Sequence, residues 1–358
     1  MKPFFSIIIS CCNVERHIGE CLQSILDQPF QDWECLAVVE TSRDQTEQIV
    51  RAFAKKEPRI RVFTQPRSGS PSAPRNTGLD HAQGEYVIFV DGDDQIRENK
   101  LEELAERISK KPGADLYPCA LFVHDTRTNK KETWDNYPQD SPAELNAPEA
   151  TGYMQRVSPF CPMAQMTVCR LEFLNREHLR FAYGLKYEDV EFGPRAFCLA
   201  KRIAPLHIPF YLYFIHPGSI TTGKRHPDMR HYARVYRNLF RFHAGVSKTP
   251  GFDPRLSRFW ANQWIAFILG RWFFPWTIRT IPRKERLATL RYMFADNQEN
   301  FRILVKYTSS AKRLASRIML LPVNHPAWTI WIVDSFFHLY FFFSSFKAKK
   351  PSSRQSVY

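Results

Sequence analysis

Short apolar runs alternate with amphipathic stretches along the first 95 residues. Phe4–Ser10 reads as a buried strand, and after a loop at Cys11–Glu15 the residues Ile18, Leu22, Ile25 and Leu26 fall at helical spacing. Trp33–Val39 predicts a second strand. Thr41–Asp44 then supplies capping residues for a helix running to about Lys55, with Ile49, Val50 and Phe53 as its apolar stripe. Arg59–Thr64 predicts a third strand, and a polar Ser-, Pro- and Gly-rich segment, Gln65–Pro74, leads into a helix from Arg75 to near Ala82. Val87–Val90, bounded by Gly84 and Gly92, has the pattern of a strand buried on both faces. This alternation predicts an α/β fold, a mostly parallel sheet with right-handed crossovers and flanking helices.

The pattern then loosens. Lys100–Lys110 reads as a helix through Leu101, Leu104 and Ile108, and Asp115–Val123 as a strand, whereas 125–148 is polar, carries prolines and has no period. We read that segment as a surface excursion. Globular composition returns over 151–200, followed by two apolar runs, Ile203–Ile208 and Phe210–Ile215. Beyond residue 225 the pattern is helical, studded with arginines and rich in aromatic residues.

Charge separates the same two regions. Of the 358 residues, 1–215 carry 26 Lys+Arg against 30 Asp+Glu, while 216–358 carry 24 against 6, so the whole net charge of +14 is the sum of −4 and +18. A basic second region suits an anionic surface, such as phospholipid, nucleic acid or an acidic polymer. No nucleic-acid-binding motif accompanies it, and no nucleic acid is expected as a partner. All eight cysteines lie at or before Cys198 without the paired spacing of a zinc site, as reduced core thiols of a cytoplasmic protein would. Met1-Lys2-Pro3 runs directly into a strand and is too short for a secretory signal.

The chemistry concentrates at Tyr86–Asp94. Asp91, Asp93 and Asp94 follow the fourth strand at its carboxyl end, where open α/β sheets place their ligands, and Gly92 lets the backbone turn between them. Like charges at this spacing repel, so a cation is expected there. Mg²⁺ or Mn²⁺ prefers carboxylate oxygens and bridges to phosphates, which makes a nucleotide diphosphate the natural partner. The alternative is an acidic turn with no ligand.

Five pieces stand in one order: Phe5–Ser10 with Asn13, Cys21–Gln28, Ser42–Thr46, Arg75–Leu79 and Asp91–Asp94. Together they resemble the nucleotide-sugar-binding half of family 2 glycosyltransferases of the GT-A, Rossmann-like fold. The likeness resumes at Tyr187–Arg195 and at Tyr211–Thr221, and covers about 220 residues. It implies a GT-A domain over 1–222, with 1–95 on the nucleotide-sugar side and 96–222 on the acceptor side, and a basic, aromatic-rich helical region over 223–358. The resemblance further implies that Asp91 and Asp93 form the metal- and nucleotide-contacting pair, with Asp93 the direct ligand, and that Arg75 meets base or phosphate oxygens. Glu40 takes the place of the family's base-contacting aspartate, as acceptor for a uracil or guanine N–H. Asp189 matches the catalytic base of an inverting transfer, with Glu188 and Glu191 read as solvated helix charges. Arg195 is open between a diphosphate contact and an ion pair. His216 is open between the metal site, the diphosphate and an ordinary polar contact.

Residues 226–346 interleave arginines with Trp260, Trp264, Trp272, Trp276, Trp328 and Trp331. Rings at headgroup depth and cations on anionic lipid would suit a membrane interface. Residues 327–343 are apolar but hold Asp334 and His338, which leaves interfacial, packed and spanning placements open. The reading is thus a metal-dependent inverting glycosyltransferase acting on a glycan or lipid-linked acceptor in surface polysaccharide synthesis, peripheral at the inner face of the cell membrane. No processive Gln-x-x-Arg-Trp motif appears, which favours single-sugar addition. The alternative is a non-catalytic nucleotide-binding module acting as a membrane-associated assembly factor.

Overall fold

The computed structural model describes residues 2–156, 163–217, 229–273, 281–294 and 296–308. The chain begins β1 (Phe5–Cys11), α1 (Ile18–Leu26), β2 (Trp33–Glu40), α2 (Thr46–Lys56), β3 (Ile60–Gln65), α3 (Ser72–His81) and β4 (Tyr86–Asp91). β1 pairs in parallel with β2 on one side and with β4 on the other, and β3 extends the sheet beyond β2. Every residue of β2 is buried, as expected of a strand covered on both faces. α1 turns Ile18, Leu22 and Ile25 into the core. α3 lies so close to β1 that a Cβ at Gly78 would stand 2.3 Å from Ile8 Cγ2. That close approach carries Arg75, on the same helix, against the sheet. The helix opens at Ser72, three residues before the expected start at Arg75.

The chain continues through β5 (Gln95–Ile96), α4 (Lys100–Ser109), β6 (Leu116–Pro118), β7 (Ala120–Asp125), β8 (Lys130–Trp134), α5 (Ala147–Met154), β9 (Thr167–Arg170), α6 (Leu171–Arg176), α7 (Glu188–Leu199) and β10 (Pro209–Ile215). Among the described residues the main sheet has the order β3-β2-β1-β4-β9-β6, with β9 antiparallel to both neighbours. A second sheet runs β5-β10-β7-β8. The single strand expected over Asp115–Val123 is therefore two. Pro118 has no N–H to continue a ladder, and Cys119 donates its own N–H to the Met166 carbonyl, so the chain leaves one sheet there and enters the other. Likewise 125–148 is not wholly irregular. β8 pairs with β7 across a turn in which Asn129 takes φ 53°, and Asn146 caps α5 with a reciprocal Glu149 bond.

By its contacts the chain divides into two compact units, Met1–Thr222 and Gly223–Tyr358. Within the second, α8 (Met229–Val246), α9 (Pro254–Phe273), α10 (Arg283–Phe294) and α11 (Gln298–Val305) pack through aromatic side chains. Phe240 of α8 stacks on Phe294 at 6.0 Å between centroids and meets Phe301 at 5.1 Å. Trp260 and Trp264 are 1% and 3% exposed. These two indoles fill the helical core and do not lie at headgroup depth, because α9 needs large apolar groups to bury its face on α8. No described helix is long and apolar enough to cross a membrane. Residues 327–343 and the aromatic positions from 274 to 280 lie outside the described residues.

Candidate active site

The carboxyl edge of the main sheet gathers the acidic stretch. Asp91 closes β4, and its Oδ1 accepts from the Ser10 hydroxyl of β1 at 2.9 Å and from Arg75 Nη2 at 2.8 Å. Gln165 Nε2 donates to Oδ2. Asp91 is held from three elements and has little freedom to turn. Gly92 makes the tight turn that follows, its N–H donating to the Ser10 carbonyl at 3.1 Å.

The two remaining acids of the stretch part company. Asp94 is buried, accepting the Phe214 N–H on Oδ1 at 2.8 Å and the Tyr211 hydroxyl on Oδ2 at 2.7 Å. The Tyr211 oxygen in turn accepts the Asp91 N–H at 3.1 Å. Asp94 thus bolts β10 to the turn, and burial, with Asp93 and Asp91 nearby, raises its pKa well above the carboxylate range. Asp93 keeps a side-chain exposure of 31% and meets His216 Nε2 at 3.2 Å through Oδ2. Burial and the Asp91 charge raise its pKa, and His216 works against them. The His216 ring stacks on His17 with centroids 4.6 Å apart.

Among the described residues no three His, Cys, Asp or Glu side chains group to hold a metal by themselves. Asp93 with His216 offers one carboxylate and one imidazole beside a turn. That set fits a cation such as Mn²⁺ that takes its other ligands from a diphosphate. Asp91, already bonded to a hydroxyl, a guanidinium and an amide, is better placed to support Asp93 than to bind a cation directly.

Arg75 is deeply buried and does not face open space. Besides Asp91 it donates Nη1 to Glu188 Oε1 at 2.6 Å, and its guanidinium lies 5.3 Å from the Phe181 ring centroid. Its fork therefore grips two carboxylates in place of the base or phosphate oxygens expected of it. Glu188 is correspondingly not a solvated helix charge. It is 7% exposed at the first position of α7, and burial, opposed by Arg75 and reinforced by Asp189, pushes its pKa up to about 7. Asp189 follows it, half-buried, its Oδ1 accepting the Val190 N–H at 2.8 Å. Burial raises the Asp189 pKa too, against the pull of Arg75. The structure thus brings Asp189 beside a glutamate that shares one cation with Asp91.

Glu40 ends β2 on the same edge. It is buried, and Oε1 accepts from the Ser68 N–H at 3.0 Å, from the Ser68 hydroxyl and from Gln65 Nε2 at 3.3 Å, so this oxygen shapes the 65–68 loop. Arg195 takes the ion-pair option: Nη2 donates to Glu191 Oε2 at 2.7 Å and to the Arg180 carbonyl at 2.6 Å. Glu191 is buried by that pair and is no solvated charge either. Gln165 is a contributor that no sequence pattern signals, whereas Tyr211 and Glu188 lie in stretches that carry the family likeness, which gives them no role. All but one of the cysteines are described, and those are free thiols.

Comparison with known proteins bears on this edge. The sequence profile of the family described as Glycosyl transferase family 2 matches residues 6–164. The uncharacterized glycosyltransferase EpsJ of Bacillus subtilis (strain 168) is 30% identical over 247 residues, which are 68% of this chain and 70% of that protein. Poly(ribitol-phosphate) beta-N-acetylglucosaminyltransferase TarS of Staphylococcus aureus (strain Mu50 / ATCC 700699) is 26% identical over 324 residues, 83% of this chain but 54% of TarS. The crystal structure of S. aureus TarS 1–349 in complex with UDP-GlcNAc superposes with a TM-score of 0.74 at 19% identity, covering 95% of this chain and 92% of that one. A mannosyltransferase of Pyrobaculum calidifontis, solved with GDP-Man and Mn²⁺, reaches a TM-score of 0.50 at 16% identity, covering 98% and 89%. At these identities the two structures speak for the fold, the GT-A arrangement of sheet and helices.

Proposed function

Since the chain belongs to glycosyltransferase family 2 and is a transferase, we propose that it moves a sugar, with inversion, from a nucleotide diphosphate sugar to a glycan or lipid-linked acceptor of a surface polysaccharide. The observation that carries the reading is the carboxyl-edge cluster itself, with Asp93 and His216 at its open side and Asp189 tied to it through Glu188 and Arg75. Asp93 and His216 would hold Mn²⁺ or Mg²⁺, which when bound supplies positive charge to the leaving diphosphate. Asp91, fixed by Ser10, Arg75 and Gln165, keeps the turn in place. Glu40 and the loop it shapes would face the base, with uracil the first to test because TarS was crystallised with UDP-GlcNAc. Asp189 takes the proton that the acceptor hydroxyl loses as it attacks the anomeric carbon. Arg195 has no part in this scheme. Membership of the family sets the reading as a non-catalytic assembly module aside.

The test is a screen of UDP and GDP sugars against glycan and lipid-linked acceptors, run with wild type and Asp189→Asn. The variant should keep nucleotide affinity and lose transfer by about two orders of magnitude or more, the usual scale for a positioned base. Equal turnover in both proteins would refute the base assignment.

We also propose peripheral contact with an anionic membrane at the inner face, supported by the charge of 24 Lys+Arg against 6 Asp+Glu over 216–358. Each cation near such a surface contributes about 1 kcal/mol, falling with salt. Full-length protein should sediment with anionic vesicles at low salt and less so at high salt; no sedimentation at low salt would end the proposal.

A further inference from the structure

Arg75 is 1% exposed and gives one Nη to Asp91 at 2.8 Å and the other to Glu188 at 2.6 Å. Asp189 is the next residue, so a single buried cation on α3 answers three carboxyl groups, one at the end of β4 and two in the first turn of α7. Arg75, Asp189 and Asp91 are the charged groups that act most strongly on Glu188. With all three ionised the cluster would hold uncompensated negative charge in a low-dielectric site, which is costly, and a proton is the simplest relief. Glu188, more deeply buried than Asp189, is where that proton is held at least cost.

We propose that Glu188 is a positioning residue for the transfer, whose ionised form ties Arg75 to the helix that carries the base and strengthens Asp189 as a proton acceptor. The inference rests on the reading of Asp189 as the base. Two effects run the same way. Ionised Glu188 makes a charge-assisted bond to Arg75, which fixes the first turn of α7 against the end of β4 and keeps Arg75 aligned on Asp91. The added negative charge beside Asp189 also raises its affinity for the acceptor proton. Both are lost when Glu188 is protonated, and with its pKa pushed up to about 7 the change falls within an ordinary assay range. Neither effect touches the nucleotide directly, so kcat should respond and the donor KM should not.

The experiment is the pH dependence of initial transfer rates in wild type, Glu188→Gln and Glu188→Asp. Wild-type kcat is expected to rise through about pH 7. Glu188→Gln keeps an acceptor for Arg75 but has no charge to gain, so its kcat should stay flat near the wild-type low-pH level, about tenfold below wild type at pH ~8, within the usual reach of acid–base effects. Glu188→Asp restores the charge and should restore a rise. A rise through about pH 7 that persists in Glu188→Gln, or equal rates of that variant and wild type at pH ~8, would overturn the proposal. If Glu188→Gln cannot be isolated folded, a flat profile in Glu188→Asp overturns it instead. Failure of the base reading shows separately, as wild-type turnover by Asp189→Asn whatever the Glu188 variants do.

Discussion

The two compact units bury polar groups to different ends. In the first, carboxylates are taken out of water repeatedly: Glu34, Glu40, Asp94, Asp115, Glu188 and Glu191 are all buried. In the second, the buried polar groups among the described residues are His243, Ser257, Arg286, Thr289, Asn297 and Thr308, with no carboxylate among them. Burying a carboxylate costs several kcal/mol unless partners compensate it. Where Glu34 lies, at the amino end of β2, the compensation is ample: the Ser6 hydroxyl, Arg61 and the N–H groups of Gln83 and Gly84 all donate to it. At the carboxyl edge Asp91, Glu188 and Asp189 share Arg75, with Asp93 and Asp94 on the turn beyond Asp91, and four of these five acids have raised pKa values. An edge left short of positive charge is a place for a cation and for a base. The helical unit, by contrast, is held by rings against rings, and its described residues bury no carboxylate.

If that contrast is right, the units should fail in different ways. The largest effect is expected from Asp93→Ala, which should abolish Mn²⁺- or Mg²⁺-dependent binding of UDP measured by calorimetry, leaving the thermal unfolding of the protein nearly unchanged. Metal-dependent binding that survives in this variant would remove Asp93 from the cation site. Next comes Trp264→Ala in the helical core, where the indole lies against Trp260, Phe240 and His243. Removing a buried indole costs roughly 3–5 kcal/mol, so an early unfolding step should appear while UDP affinity holds. A parallel fall in UDP affinity would break the comparison, because the nucleotide site would then depend on the helical unit.

The smallest effect concerns His243, buried with Nε2 on the Ser257 hydroxyl at 2.8 Å. Burial lowers its pKa from 6.5 to about 4. Between those values the unfolded chain binds a proton that the folded chain does not, so the stability contribution is present above about pH 6.5 and is lost as pH falls toward 4. At pH ~5 the loss should be roughly 2 kcal/mol, and His243→Asn should flatten it. Melting temperatures of the two proteins that fall in parallel between neutral and mildly acidic pH would assign the acid sensitivity elsewhere.

What the sequence determined by itself is whatever ten or so neighbouring residues can encode. The period of the apolar positions placed β1 to β4 and the helices between them, because a strand buried on both faces and an amphipathic helix each write their own pattern. The run from Val87 to Asp94 placed the acids at a strand's carboxyl end, and the order of motifs pointed to the family. Tertiary structure alone decided which partner each charge meets. Glu188 and Asp189 are adjacent and look alike in the chain; only the arrival of Arg75 from 113 residues away buries the first. Asp94 differs from Asp93 because Tyr211, 117 residues on, reaches it. Arg195 finds Glu191 one helical turn back, and Trp260 and Trp264 turn into a core where the same rings could have served a membrane surface. Periodicity is a local property, whereas the energy of a buried charge depends on every dipole and charge around it, and the fold brings those together from distant parts of the chain.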